Sequence, residues 1–352
     1  MTTIIQEETT LESYSTVSGG LVETTDDVVY PCDEMFNFET ISGVSQILIF
    51  IFSVTGNCLL LLVLVTQENL RNVTNLFVLN LACSDLIFTV TLPFWAVHQL
   101  HHWIFGEFTC KLMTAAYIVG LYSSIILLTA MTVDRFTIVV LHNMPSYSVR
   151  RQRFAIVACV AAWVISTAAS LSDAIKMKVE ESGGAFLCED LSDEHDVKLG
   201  YYLQVSLLFF LPLAIIVFCY SAILKTVLQA SNRKTSRTVV LVLCIVAAFF
   251  ICWGPHSILL FIGTLYEPKD CNAQERLEIA YSICHMLAYS HCCMNPLLYM
   301  HSQKTRRHLL DLLCCEKAKN KKRERATGQS TQIVAFVAKK PLLLRLNYTA
   351  NR

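Results

Sequence analysis

Residues 76–97 read LFVLNLACSDLIFTVTLPFWAV, apolar almost throughout and broken only by a carboxylate at Asp85, a ring at Pro93 and a few uncharged polar side chains. A helix of that length, rising 1.5 Å per residue, crosses the roughly 30 Å of hydrocarbon in a bilayer. A helix on the surface of a soluble domain would carry a charged face at a period of 3.6, and this stretch has none. Six further apolar runs occur, at 44–65, 109–140, 154–171, 201–228, 239–265 and 277–300. With 54% of 352 residues apolar and 16% charged, the chain has too little charge to coat a soluble globule of its size. The expectation is an all-α membrane protein. It comprises an acidic arm at 1–43, a seven-transmembrane helix bundle at 44–301, a short cytoplasmic amphipathic helix on the membrane surface at 302–315, and a tail at 316–352.

Charge gives the bundle a direction. Lys and Arg collect in alternate loops, at Arg71, at Arg150, Arg151 and Arg153, at Lys225, Arg233, Lys234 and Arg237, and at Lys304, Arg306, Arg307 and 317–325. By the positive-inside rule these loops are cytoplasmic and the N-terminus is extracellular. The first forty residues lack the basic-then-apolar layout of a cleaved signal peptide, so the first run is expected to serve as the anchor. The zero net charge hides an asymmetry. Residues 1–40 carry Glu7, Glu8, Glu12, Glu23, Asp26, Asp27, Asp33, Glu34 and Glu39 and no Lys or Arg. An acidic arm draws in basic ligands and raises their association rate; the plain alternative is a solvated tail.

Four of the fifteen cysteines fall outside by this topology: Cys32, Cys110, Cys188 and Cys271. In an oxidising compartment four cysteines allow three pairings. Pairing Cys110 with Cys188 would fasten the second outer loop to the third helix, and pairing Cys32 with Cys271 would tie the arm to the last outer loop. The cysteines within the runs, among them Cys58, Cys83 and Cys244, read as small packing residues, without metal-ligand spacing. Cys314 and Cys315, beside basic residues after the last run, are palmitoylation candidates, the alternative being two plain thiols.

A charge at the bilayer centre costs about 2.5–3.5 kcal/mol on insertion scales, so intramembrane charges mark function. Asp85 lies inside the second run, and Asp134 with Arg135 closes the third. One reading makes them hydrogen-bonding glue between helices, with Asn57, Asn80, Ser124 and Asn295 as partners. The other gives Asp85 a sodium ion or a proton whose occupancy differs between two packings. Pro93, Pro212, Pro255 and Pro296 each remove a backbone hydrogen bond and permit a kink.

Together these residues resemble the rhodopsin-like G-protein-coupled receptors. The matching motifs are Gly56-Asn57, Leu79-Asn80-Leu81-Ala82 with Asp85, Asp134-Arg135-Phe136, Trp163, Pro212 with Tyr220, Cys252-Trp253-Gly254-Pro255, and Asn295-Pro296-Leu297-Leu298-Tyr299, in order along the seven runs. Within that class the chain resembles the chemokine receptors, through Thr91-Leu92-Pro93-Phe94-Trp95, the cysteines Cys32 and Cys271, and the acidic arm. Trp253-Gly254-Pro255 and Ser290-His291-Cys292-Cys293-Met294-Asn295-Pro296 point toward the XC, or lymphotactin, type. Tyr117, where amine receptors keep an aspartate, argues against an amine ligand.

The resemblance implies a chemokine resting on the arm and second outer loop, with its N-terminus in a cavity lined by Trp95, Tyr117, Trp253 and His285. It implies disulfides Cys110–Cys188 and Cys32–Cys271, and sulfation at Tyr14 and Tyr30. It makes Arg135, with Asp134, Tyr220, Asn295, Pro296 and Tyr299, the switch that engages a heterotrimeric G protein in leukocyte chemotaxis. Asn57, Asp85, Ser124 and Asn295 are the candidate polar network, with a sodium ion or a proton as the occupant of Asp85. Membrane lipid and arrestin are further expected partners, nucleic acid is not, and the expected location is the plasma membrane.

The chain departs from the family in places. Phe136 replaces a tyrosine, and Thr137-Ile138-Val139-Val140 match the second inner loop only loosely. His285 stands where many relatives carry glutamate, and Ser170-Leu171-Ser172-Asp173 lack a proline. The tail offers only Thr327, Ser330, Thr331 and Thr349 as obvious hydroxyls, while 333–337 and 342–346 are apolar. Asn72-Val73-Thr74 and Asn347-Tyr348-Thr349 fit glycosylation triplets but fall inside. The alternative to a signalling receptor is an atypical receptor that scavenges chemokine without activating G protein. A transporter would show paired repeats, and an enzyme a nucleophile or metal constellation; neither pattern is present in the sequence.

Overall fold

The computed structural model describes residues 38–141, 147–192, 194–229, 233–265 and 271–300. Four long helices come first: α1 (Phe38–Gln67), α2 (Val73–Leu100), α3 (Gly106–Val140) and α4 (Tyr147–Lys176). A hairpin of β1 (Met177–Ser182) and β2 (Ala185–Asp190) follows. Then come α5 (Glu194–Val205), a π turn (Ser206–Phe210), α6 (Leu211–Gln229), α7 (Arg233–Leu265), α8 (Cys271–Tyr289) and α9 (His291–Met300). Two compact units result, Met1–Leu298 and Tyr299–Arg352, and of the second only the last two residues of α9 are described.

Each apolar run is helical over nearly its whole length. The helices extend past the runs because polar caps and flanks carry the chain on after the hydrocarbon-length stretch ends. At the start of α2 the Asn72 side chain accepts from the Thr74 N–H at 3.1 Å, satisfying a donor that would otherwise be orphaned. Asn72 is therefore a cap, whatever its glycosylation-like triplet suggests.

Two runs expected to be plain helices are not. The fifth crossing is α5, the π turn and α6 in one rod, with helical dihedrals at both junctions. The Leu211 N–H reaches back five residues to the Ser206 carbonyl, one position before Pro212. Widening the turn there relieves the clash that the proline ring would otherwise make. The seventh run is divided at Ser290, whose N–H is shared at 3.1 Å between the Met286 and Leu287 carbonyls. Its hydroxyl also donates to the Leu287 carbonyl at 2.6 Å, a side chain competing with the helix ladder. Among the described residues six helices are long and apolar enough to cross a membrane, and α8 with α9 completes the seven-helix bundle.

The bundle is inverted relative to a soluble protein. Phe52, Val157, Val164, Phe218 and Ile251 are exposed, whereas Ser53, Asn57, Ser84, Asp85, Thr89, Ser123 and Ser124 are buried. That distribution suits lipid outside and a polar seam within. Helix α3 is the central post, packing against α2, α4, α6, α7 and β1. It approaches α2 closely at Gly120, where an added Cβ would lie 2.7 Å from the Phe88 backbone nitrogen. Similarly, a Cβ on Gly56 of α1 would lie 2.8 Å from the Pro296 ring of α9.

The hairpin caps one end. Ser182 pairs with Ala185, leaving Gly183 and Gly184 as a two-residue turn with φ of 60° and 84°. Such turns need left-handed backbone at both positions, which glycine supplies without strain. Cys188 sits opposite Val179 on β1 and is bonded to Cys110 near the start of α3, Cα atoms 5.8 Å apart. The Trp103 N–H donates to the Phe186 carbonyl at 2.7 Å, so the loop after α2 is stitched to the same hairpin.

The Gly120 contact is with backbone, which has no rotamer to yield. Gly120→Val is expected to destabilise the purified protein by roughly 1–3 kcal/mol through overpacking. Gly263→Ala, where nothing lies within 4 Å, should be near neutral. Thermal unfolding in detergent compares the two, and equal melting temperatures would contradict the close α2–α3 packing.

Candidate functional site

Pro296 has no N–H, so the Cys292 carbonyl one turn earlier lacks its helical donor. Asn57 of α1 takes its place, with Nδ2 2.9 Å from the Cys292 carbonyl and 3.0 Å from the Ser53 carbonyl. The Ser53 hydroxyl lies 2.6 Å from that of Thr89, which donates to the Asp85 carbonyl at 2.5 Å. Asp85 itself is fully buried and accepts from Asn295 Nδ2 at 2.7 Å and from the Ser124 hydroxyl at 3.3 Å. One polar network thus joins α1, α2, α3 and α9.

Asn57, Asp85, Ser124 and Asn295 meet in it, and Pro296 frees the carbonyl that anchors it. Asn80 does not join. Its amide oxygen accepts from the Trp163 indole at 2.9 Å, linking α2 to α4 instead. Among the described residues no basic side chain forms an ion pair with Asp85. A buried carboxylate in that position is tolerated with a cation or a proton. The donor set, one carboxylate with hydroxyls and amide oxygens, suits a hard cation such as sodium rather than a thiolate-loving metal. The Asn57 Oδ1 is a buried acceptor with no hydrogen bond, one more oxygen such an ion could use.

At the far end of α3, Asp134 is shared by two arginines. Arg151 of α4 grips it with Nε at 2.6 Å and Nη2 at 2.9 Å, the two-pronged geometry that makes Arg–carboxylate pairs strong. Arg135 stands 3.3 Å from the same carboxylate and donates to the Thr74 hydroxyl of α2. Arg135 is thus held to α2 and to its own neighbour, while Arg151 holds α3 to α4. Arg151 is one of three basic residues in its stretch, and only the folded arrangement singles it out. Tyr220 packs with Phe136 and Val140 on the apolar cluster Val139, Ile223 and Val239. Phe136, where relatives keep a tyrosine, also meets Phe218 at 5.9 Å between ring centres. Tyr299, on α9, is buried.

Toward the hairpin end the four cavity candidates separate into two groups. Tyr117, His285 and Trp253 are linked by rings the sequence reading passed over. Tyr117 meets Tyr289 at 5.9 Å, Tyr289 meets His285 at 4.2 Å, His285 meets His256 at 5.2 Å, and His256 meets Trp253 at 5.6 Å. His291 closes the chain from below, 5.5 Å from Trp253. Trp95 stands apart, against Trp103 at 5.4 Å in the cluster that surrounds the Cys110–Cys188 bond. A small cavity beside Trp253 is lined by Leu121, Gln204, Phe209, His256 and Ser257. His256 was legible in principle, since it follows the Trp253-Gly254-Pro255 motif one turn from Trp253. Thr89 was too, standing four residues after Asp85 on the same helical face.

Cys32, Tyr14, Tyr30, Cys314, Cys315 and the segments 302–315 and 316–352 lie outside the described residues, and Cys271 is described only as the first residue of α8. Among the described residues no cluster of three His, Cys, Asp or Glu side chains could hold a metal ion.

Comparison with known proteins accords with this geometry. Residues 56–299 match the 7 transmembrane receptor (rhodopsin family). The chain is 40% identical over 293 residues to the human Chemokine XC receptor 1, covering 80% of this chain and 85% of that protein. It is 39% identical over 279 residues to the mouse Chemokine XC receptor 1, covering 78% and 84% respectively. These relatives are receptors and not enzymes. The chain is a multi-pass plasma-membrane protein that belongs to the rhodopsin family of seven-transmembrane receptors and, within it, to the chemokine receptors.

Proposed function

We propose that this chain binds a small basic chemokine of the lymphotactin type at its hairpin end and activates a heterotrimeric G protein at its Arg135 end, driving leukocyte chemotaxis. The hairpin end is the extracellular one in this reading, with the N-terminus outside. The observation that carries it is the pair of arginines on Asp134. Arg135 is held by reversible polar contacts to Thr74 and Asp134, so a modest shift of α3 against α2 and α4 releases it for a G protein to engage. No covalent chemistry is required. A ligand that binds one packing better than the other shifts the population, and the coupling is reciprocal.

The ligand's charge finds support at the hairpin. Glu180, Glu181 and Asp190 are exposed there against a single Lys178, adding to the acid of residues 1–40. Complementary charge raises association rates and is screened by salt. Tyr117, Trp253 and His285 are the residues proposed to meet the chemokine N-terminus, with Trp95 on the rim. Sulfation of Tyr14 and Tyr30 would add to the acidic surface, and a Cys32–Cys271 bond would tie the arm down. A sodium ion held by Asp85 with Ser124, Asn57 and Asn295 would supply the positive charge that the carboxylate lacks and favour the packing in which these groups converge. Acylation of Cys314 and Cys315 would place the following segment on the inner leaflet, with arrestin a further partner. The alternative, a scavenging receptor, draws on Phe136 and the loosely matching 137–140.

Arg135→Ala is expected to abolish chemokine-driven nucleotide exchange on G protein in isolated membranes while leaving surface binding intact; exchange retained at equal expression would refute the role. Arg151→Gln hands Asp134 wholly to Arg135 and tightens its hold, so exchange should need roughly fivefold or more chemokine. Higher basal exchange in that variant would contradict the shared-carboxylate account. Deleting residues 1–31 should weaken chemokine binding more at low salt than at high salt, and an unchanged salt dependence would sink the electrostatic role of the arm.

A further inference from the structure

His256 on α7 and Tyr281 and His285 on α8 bring three rings into one triangle. Ring centres lie 5.2 Å apart for His256 and His285, 5.1 Å for His256 and Tyr281, and 6.0 Å for Tyr281 and His285. Tyr281 and His285 are four residues apart, so α8 presents both on one face. His256 and His285 are 6% and 5% exposed, and His256 Nδ1 is buried without a hydrogen-bond partner. A buried ring nitrogen with nothing to bind is unusual in a folded protein and calls for a ligand or a water.

Metal geometry fits the spacing. An imidazole binds a zinc-type ion at about 2.0–2.1 Å and its ring centre lies about 1.2 Å beyond, so two imidazoles on one tetrahedral ion stand about 5 Å apart. The observed 5.2 Å needs little adjustment beyond ring rotation. Two nitrogens and a phenol oxygen form a borderline donor set, suited to zinc or copper and not to sodium, magnesium or calcium.

We propose that His256, His285 and Tyr281 form a binding site for a first-row divalent transition cation of the zinc type, bridging α7 and α8 and leaving a fourth position for water. On binding, the Tyr281 phenol releases its proton to water while the imidazoles bind neutral. This site is distinct from the polar network at Asp85. It also lies one ring from Trp253 and one from Tyr289, at 5.6 Å from His256 and 4.2 Å from His285. A cation there binds best the packing that keeps the three rings together and so biases the bundle toward it. Only that last consequence rests on the receptor reading; binding itself does not.

The test is Zn2+ titration of the purified full-length protein by calorimetry, with Co2+ as an optical probe of tetrahedral coordination. Wild-type protein should bind Zn2+ saturably, and His256→Gln and His285→Gln should each weaken that binding by about tenfold or more. Tyr281→Phe keeps the ring and should weaken it less. His256→Cys exchanges one zinc ligand for another and should retain binding, which separates loss of a ligand from loss of the fold. Absence of saturable binding in the wild type, the same affinity in the His256→Gln/His285→Gln double variant, or loss of binding in His256→Cys would each overturn the assignment.

Discussion

The arrangement rests on the Cys292 carbonyl, which its own helix leaves without a donor. Pro296 withholds the N–H that would close the helix onto Cys292, and in a bilayer there is no water to replace it. Asn57 reaches across from α1 to supply the donor, and Gly56 beside it lets the proline ring approach. Once α1 is fixed to α9, Ser53, Thr89, Asp85, Ser124 and Asn295 follow as a connected set, each donor finding an acceptor on another helix or one turn away. The seam turns its polar groups toward one another and away from lipid, with the Asn57 Oδ1 the one buried oxygen named above that accepts no hydrogen bond.

The two ends of the bundle are built on different principles, and that difference supports a signalling role. At one end a disulfide, a glycine-turned hairpin and the Trp95–Trp103 cluster fix the mouth covalently and by packing. At the other, Arg135, Asp134, Arg151 and Thr74 are joined only by hydrogen bonds and ion pairs, which can be exchanged for a partner's. A rigid end and a releasable end, joined by a polar seam and a chain of rings through Trp253, form a layout through which, in the proposed reading, occupancy at one end would change the population at the other. Helix α3 runs through all of it, packing against α2, α4, α6, α7 and β1.

Much of this was legible in the chain. Hydrophobic runs of membrane length gave seven crossings, because in lipid the backbone has so few alternatives to helix. The network residues Asn57, Asp85, Ser124 and Asn295 were found because polar groups in an apolar run are conspicuous. What escaped was what depends on neighbours distant in sequence. Asn80 looks like a partner for Asp85 but turns to Trp163. That Trp95 packs on Trp103, apart from the other three candidates, is likewise set by the fold. Arg151 is indistinguishable from Arg150 and Arg153 until α4 is placed beside α3. The division at Ser290 and the π turn before Pro212 also went unseen, since hydropathy registers composition and not the hydrogen-bond ladder.

The central claim is that chemokine occupancy at the hairpin end is converted into G-protein activation at the Arg135 end. The most direct measurement is nucleotide exchange on heterotrimeric G protein in cells expressing the wild-type chain, challenged with a chemokine panel that includes lymphotactin, with uptake of labelled chemokine followed in parallel. The account predicts selective exchange in response to lymphotactin. Uptake of labelled lymphotactin with no exchange, at confirmed surface expression, would contradict it and establish the scavenging reading in its place.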